Sequence, residues 1–245
     1  MVSTLSERHG QLIEVEEVEL VKGRLICGFP GPGLVGSLAA KYVAGYLNMR
    51  EVAYLRLRTV PPVSMFYEGE LKHPFRLYAE PKRRLAVFIA ETPILGRAQY
   101  EVAEALTSWA ERKGLSSVIC MESLPAKDEG SRRVYGVAEA KTLREMMKRG
   151  IEPLSMGLVA GVSAAIMNEC LIKKVEGVCL FAEADVNKVD VEATVSLIEA
   201  LNKLLRVDVD IKPLLNNVAN ITSQLEGLIE HVKRVSEERG LAMYA

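Results

Sequence analysis

The sequence predicts an α/β fold in which a mixed β-sheet is covered by helices on both faces. Short apolar runs typical of buried strands alternate along the chain with longer amphipathic stretches typical of helices. Between residues 63 and 90, the strand-like runs instead follow one another through short turns, which indicates antiparallel pairing in that part of the sheet. A long apolar stripe near the C terminus predicts one further helix. The expected organisation is an α/β domain at 11–212, an amphipathic helix at 213–239 and a flexible tail at 240–245.

The strand-like runs are apolar, and turn-forming residues end several of them. The run 25–29 leads into a Gly- and Pro-rich turn, and Glu91-Thr92-Pro93 closes the run 85–90. The first run alternates apolar residues with glutamates, which is typical of an exposed edge strand protected by charge. Strands are predicted at residues 12–20, 25–29, 52–57, 63–67, 75–79, 85–90, 117–121, 134–137, 152–156 and 178–182.

The helical stretches show apolar residues at helical spacing. The stretch 99–113 places Tyr100, Ala103, Leu106 and Ala110 on one face. The stretch 157–172 is small and apolar throughout, which predicts a buried helix that packs closely on its neighbours. Helices are predicted from the Gly-rich turn to Leu47 and at residues 99–113, 138–149, 157–172 and 190–205.

The predicted C-terminal helix begins at Pro213 and ends before Gly240, residues that suit the start and the stop of a helix. Its apolar positions are separated alternately by four and three residues, so one face stays apolar for about seven turns. A helix with such a stripe is expected to pack against a matching helix, which predicts self-association. The stripe consists of Leu214, Val218, Ile221, Leu225, Leu228, Val232 and Val235.

The tail after Gly240 is unusually apolar for a chain end. Met243, Tyr244 and Ala245 form the pattern hydrophobic residue, tyrosine, any residue, directly followed by the terminal carboxylate. Terminal residues are usually polar unless they dock somewhere. We therefore expect this tail either to fold back onto its own domain or to enter a pocket of a partner.

Composition sets limits on the function. The 245 residues carry a net charge of −1, which argues against sequence-independent nucleic-acid binding, because such binding needs an excess of Lys and Arg. The four cysteines show no CxxC spacing and are expected to be buried, reduced thiols. The longest nearly uncharged stretch, 154–167, is too short to span a bilayer, and residues 1–10 show no apolar signal segment. We expect a cytoplasmic protein with no membrane partner.

The turn after the strand 25–29 contains Gly31, Gly33 and Gly36 at the G-x-G-x-x-G spacing of dinucleotide-binding proteins. Arg58, after the next strand, could bind a ribose phosphate. Pro30 and Pro32, however, remove two backbone donors from the loop that would hold a phosphate. The alternative is a tight strand-to-helix turn with close packing, or a surface loop that contacts another protein.

Acidic residues follow three of the predicted strands. They are Glu91, Glu122, and Glu183 with Asp185. Ligands bind at the carboxyl ends of strands in open α/β sheets, so these carboxylates could hold Mg²⁺ or act as acid and base. They could equally cap helices and face solvent. The three histidines have no metal-ligand spacing, Ser163 lacks the last glycine of a nucleophile elbow, and neither a cofactor nor a catalytic pair is predicted.

Several segments resemble the archaeal proteasome-assembly-chaperone family. They are residues 28–36 (GFPGPGLVG), residues 90–93 (AETP), and the segment that runs from 156–161 (MGLVAG) to Ala182-Glu183. The resemblance covers most of residues 20–235. With this body, the ending Met243-Tyr244-Ala245 is similar to the HbYX tails with which proteasome activators and assembly chaperones enter pockets between proteasome α subunits.

The resemblance implies a three-layer α/β/α fold related in shape to nucleoside phosphorylases and hydrolases, without established catalysis. It also implies a homo-oligomer, a tetramer or pentamer, whose C-terminal helices project the tails. We therefore expect a non-enzymatic proteasome assembly chaperone or ATP-independent activator that docks its tail on the α ring. The alternative is a nucleotide- or nucleoside-handling enzyme that uses the Gly31–Gly36 turn and the strand-end acids.

Overall fold

The computed structural model describes residues 10–128, 130–185, 187–218, 222, 223 and 225. The strands are β1 (Gln11–Glu14), β2 (Arg24–Gly28), β3 (Arg50–Arg56), β4 (Met65–Tyr67), β5 (Glu70–Lys72), β6 (Phe75–Glu80), β7 (Leu85–Ala90), β8 (Ser117–Pro125), β9 (Val134–Ala138), β10 (Glu152–Pro153) and β11 (Glu176–Ala184). The helices are α1 (Val35–Tyr46), α2 (Ala98–Arg112), α3 (Ala140–Lys148), α4 (Val162–Lys173), α5 (Val191–Leu205) and α6 (Lys212–Leu215).

Nine of these strands form one mixed sheet in the order β1-β3-β6-β7-β2-β8-β11-β9-β10. The central strands β7, β2, β8 and β11 are parallel. Strands β1, β3 and β6 continue the sheet on one side through antiparallel pairs, and β9 pairs antiparallel with β11 on the other. The central strands are apolar along most of their length because both of their faces are covered.

Two apolar clusters lie on opposite faces of the sheet. The first contains residues of α2 and α4, including the fully buried Trp109, and the second contains residues of α1 and α5. The α/β fold with a mixed sheet between helical layers is therefore confirmed. All four cysteines are buried free thiols, and Cys27, Cys120 and Cys179 are direct neighbours across β2, β8 and β11.

Some predicted boundaries are wrong. The predicted strand 63–67 lies outside the main sheet: β4 and β5 form a separate two-stranded hairpin, because Glu68 and Gly69 both adopt positive φ and reverse the chain. The predicted helix 157–172 begins only at Val162, and the predicted strand 152–156 is reduced to Glu152–Pro153. Leu158, which was expected in the buried helix, is 100% exposed, and its neighbour Met156 is 91% exposed.

None of the helices in the described ranges is both long enough and apolar enough to cross a membrane.

Candidate functional site

The glycine turn places the start of α1 directly against the sheet. A Cβ on Gly36 would lie 2.1 Å from the carbonyl oxygen of Met121 in β8, and one on Gly28 would lie 2.4 Å from Cβ of Ala40. Neither position has space for a side chain. Gly33 has a φ of 66°, which an L-residue rarely adopts. Close packing therefore accounts for Gly36, and backbone conformation accounts for Gly33, without a bound nucleotide.

Gly31 differs from the other glycines of this turn, because a Cβ there would meet only ordinary contacts. The nearest is Oε2 of Glu122, at 3.7 Å. Glu122 accepts a hydrogen bond from Oγ of Ser163, which is completely buried in the first turn of α4. Burial raises the pKa of Glu122 to about 7, and the bond from Ser163 opposes part of that increase. This carboxyl can therefore exchange a proton near neutral pH, whereas Ser163 is enclosed and serves as its donor.

Glu183 has a structural role. Its side chain is completely buried, and it accepts hydrogen bonds from Oγ of Ser131, the hydroxyl of Tyr135 at 3.3 Å and Nε of Arg133 at 3.4 Å. Burial acts to raise its pKa, but these donors outweigh burial and leave the pKa lowered. Glu183 thus fastens the segment before β9 onto the end of β11.

Asp185, two residues further on, accepts a hydrogen bond from the backbone N–H of Asn187 and pairs with Lys188 at 3.6 Å. The backbone bond from Asn187 is the main cause of its lowered pKa. Both partners, Asn187 and Lys188, belong to the same loop as Asp185, so its side chain faces residues of its own loop.

Glu91 belongs to a charged cluster that sequence reasoning did not predict. Its carboxylate accepts hydrogen bonds from Arg76, from Tyr67 at 3.3 Å and from Nζ of Lys41 at 2.5 Å. The side chains of Glu91 and Arg76 are each only 5% exposed. Burial acts to lower the pKa of Lys41, but the charge of Glu91 and the hydrogen bonds that Lys41 donates to Glu91 and Tyr67 raise it overall.

One signal in the sequence could have indicated this cluster. Arg76 is a charged residue between the buried Phe75 and Leu77 of strand β6, and a buried charge requires a partner. The other members of the cluster are Lys41 in α1, Tyr67 in the β4–β5 hairpin and Glu91 directly after β7. No local spacing in the sequence connects them.

The strand-end acids do not form a joint site. Glu91, Glu122, Glu183 and Asp185 each have partners of their own, given above. Across the ranges 10–128, 130–185 and 187–218, no three His, Cys, Asp or Glu side chains are grouped so that they could hold a metal ion. The hypothesis that these acids together hold Mg²⁺ is therefore wrong for this part of the chain.

Comparison with known proteins decides the family. The sequence pattern of the PAC2 family matches residues 25–229. This chain belongs to the PAC2 family.

Solved structures of similar proteins agree with the PAC2 assignment over nearly the whole chain. Pyrococcus furiosus PbaA, an archaeal homologue of proteasome-assembly chaperone, is 25% identical, with a TM-score of 0.80 over 96% of this chain and 100% of PbaA. A Thermoplasma acidophilum protein of unknown function is 33% identical, with a TM-score of 0.81 over 89% of this chain and 90% of that one. P. furiosus PbaB, an archaeal proteasome activator, is 19% identical, with a TM-score of 0.75 over 92% of this chain and 99% of PbaB. At this identity, the similarity shows the shared fold.

The C-terminal stripe of this PAC2 protein begins in its own core. Leu214 is 2% exposed, and Val218 and Leu225 pack against the cluster that contains α1 and α5. The described helix α6 ends at Leu215, and residues 216–217 form a turn. Most of the predicted helix 213–239, including Ile221, Leu228, Val232 and Val235, lies outside the described residues, as do Met243, Tyr244 and Ala245. Self-association through the stripe and docking of the tail stay predictions.

Proposed function

We propose that this PAC2 protein is a non-catalytic proteasome assembly chaperone or ATP-independent activator, which acts in the cytoplasm by docking its C-terminal tail on the proteasome α ring. The observation that carries the proposal is the similarity to PbaA, a proteasome-assembly chaperone homologue, over 96% of this chain. The similarity extends in fold to PbaB, a proteasome activator.

The tail has the chemistry of a docking element. Met243 supplies an apolar side chain, Tyr244 an aromatic ring with a hydroxyl group, and Ala245 the terminal carboxylate. A short peptide of this kind buries little surface, so a single tail is expected to bind weakly.

Self-association would strengthen that weak contact. If the later stripe positions Leu228, Val232 and Val235 join several chains, each oligomer presents several tails to a ring that itself has repeated pockets. Once one tail is bound, the others bind at a high effective concentration. A tetramer or pentamer is the expected assembly, and the proposed partners are the α ring and further copies of the chain.

The strand-end acids fit a non-catalytic role. Glu183 and Glu91 fasten neighbouring segments of the fold through buried hydrogen bonds, and Asp185 is held by its own turn. These contacts support a structural purpose for three of the four acids that an enzyme hypothesis would use, and Glu122 is the exception.

A pulldown against isolated proteasome α-subunit rings tests the proposal. It compares the full chain with a chain that ends at Ala242, both checked for the same circular dichroism and unfolding temperature. Binding by the full chain alone supports tail docking. Equal binding by both chains would show that the body recognises the ring and would reject the tail, and binding by neither would reject the proteasome function.

A further inference from the structure

A depression of about 270 Å³ lies beside the start of β6 and the end of β7, between α1 and the β4–β5 hairpin. It is lined by residues of α1, β4, β5 and β6 and of the segment directly after β7. They are Lys41, Tyr67, Lys72, Arg76, Tyr78 and Glu91, and we call this set the basic pocket.

The basic pocket is rich in hydrogen-bond donors. Three of its six side chains are cations and two are phenols, whereas Glu91 is its single carboxylate. Both oxygens of Glu91 are already occupied by Lys41, Arg76 and Tyr67. Burial raises the pKa of Tyr78, and its hydroxyl group has Glu51 as a hydrogen-bond partner.

One buried donor in the basic pocket has no acceptor. Arg76 is 4% exposed, and its Nε makes no hydrogen bond to any residue in the described part of the chain. The nearest ion-pair contact of Nε is Oε2 of Glu51 at 3.9 Å, which is beyond hydrogen-bond distance. A buried N–H without an acceptor costs free energy, and a ligand would reach this one only if the side chain of Arg76 turned further toward the pocket.

Two further acids lie near the basic pocket and limit its positive charge. Glu51 is the neighbour of Arg76 described above, and Glu70 pairs with Lys72 at 2.5 Å. The Glu70–Lys72 pair lies on the exposed hairpin, where Glu70 is 71% exposed, so water screens it and it contributes little. Lys72 can therefore exchange Glu70 for a ligand at small cost.

We propose that the basic pocket binds a small tetrahedral oxyanion, either inorganic phosphate or the phosphate group of a monoester. Its donors come from separate elements, and they suit an ion whose oxygens point in several directions better than a planar carboxylate. Glu91 holds Lys41 and Arg76 in place, and the rings of Tyr67 and Tyr78 provide apolar surface for the organic part of an ester. The site is distinct from the glycine turn and from the tail.

The ligand would also hold the hairpin to the body. The hydroxyl of Tyr67, which follows Phe66 at the end of β4, accepts a hydrogen bond from Nζ of Lys41 at 2.9 Å. Lys72, at the end of β5, lines the same pocket. An oxyanion between Lys72, Lys41 and Arg76 would connect the hairpin, α1 and β6 through one charged centre.

Isothermal titration calorimetry on the full chain tests the proposal, with inorganic phosphate and ribose 5-phosphate as separate probes in a phosphate-free buffer. We expect saturable binding of one ion per chain at millimolar concentrations or below. Lys72→Gln should weaken it about tenfold, because one charge-assisted hydrogen bond is lost. Lys82→Gln is the matched control: it removes the same charge at an exposed position outside the pocket and should bind like the original chain.

The two probes distinguish the source of the oxyanion. Equal affinities identify inorganic phosphate as the sufficient ligand, and clearly tighter binding of ribose 5-phosphate identifies a monoester. The proposal is overturned if neither probe saturates, or if Lys72→Gln and Lys82→Gln have the same affinity, which would indicate an adventitious ion only.

Discussion

At the scale of single residues, the environment of a side chain decides its chemistry more than its position after a strand. Glu122 and Glu183 both follow apolar strand residues and are acids of the same type. Glu183 receives three hydrogen bonds and has a lowered pKa, whereas Glu122 receives one from Ser163 and has a pKa raised to about 7. The sequence located both acids but could not separate them, because Ser131, Tyr135 and Ser163 reach them from distant elements.

Glu122 should make the stability of the protein depend on pH. Its folded-state pKa is raised above the ordinary value, so its stabilising contribution is present at low pH and is lost as pH rises from about 4.5 through about 7. Glu122→Gln removes this ionisation while it keeps an acceptor for Ser163. Relative to the original chain, the free energy of unfolding of Glu122→Gln should rise between pH 5 and pH 8, by at most about 3 kcal/mol.

Urea unfolding of both chains at the two pH values measures this difference. If Glu122→Gln changes the free energy of unfolding equally at pH 5 and pH 8, then Glu122 does not titrate as proposed.

At the scale of elements, the glycines of α1 illustrate what sequence spacing can and cannot predict. The spacing of Gly31, Gly33 and Gly36 indicated a tight turn between a strand and a helix, and the 3₁₀ turn Pro32–Leu34 leads from β2 into α1 as expected. The spacing did not reveal that Gly36 abuts Met121, because β8 lies more than eighty residues further along the chain. Contacts of this kind depend on strand order, which local patterns do not contain.

Gly36→Ala should destabilise the protein, and Gly45→Ala should not. A Cβ at position 36 would overlap the carbonyl oxygen of Met121, so α1 or β8 must shift, at a cost of about 1–3 kcal/mol or more. Gly45 is exposed in the same helix and has no atom within 4 Å of an added Cβ. Alanine there should stabilise the helix by about 0.5–1 kcal/mol.

Thermal and chemical unfolding of both variants measures the two effects. Equal stability of Gly36→Ala and Gly45→Ala would contradict the close contact between α1 and β8.

The errors in predicting elements also have physical causes. Apolar residues continue from Leu154 through Gly161, and this pattern suggested a buried helix from residue 157. Gly161 has a φ of 81°, however, and the helix begins only after it. Strand β5, the partner of the predicted strand 63–67, was missed because a run of three residues is too short to show alternation.

At the scale of the whole molecule, the alternation of strands and helices was enough to predict the mixed sheet and its helical layers. The strand order and the partners of Arg76 were not predictable, since both depend on contacts between distant segments. Periodicity alone does not show which residues of the C-terminal stripe pack in the chain's own core and which are left for self-association. Leu214, Val218 and Leu225 all pack in the chain's own core, so we propose that self-association uses the later positions Leu228, Val232 and Val235.

A charge on the later stripe should dissociate the proposed oligomer. Leu228→Glu places a carboxylate among the apolar residues of the stripe, and burying an unpaired charge between chains is costly. Sedimentation velocity should then show a smaller particle. Lys233→Glu, at a position off the stripe, changes the charge of the same predicted helix and should leave the mass unchanged. The same mass for the original chain and Leu228→Glu would contradict self-association through the stripe.

The measurement that tests the central claim most directly is surface binding to immobilised proteasome α rings. Three chains are compared: the original, Tyr244→Ala, and a chain with one glycine added after Ala245. The added glycine keeps every side chain but displaces the terminal carboxylate. If the tail docks as proposed, the original chain binds and both altered chains lose most of that binding. Undiminished binding by the two altered chains would contradict tail docking.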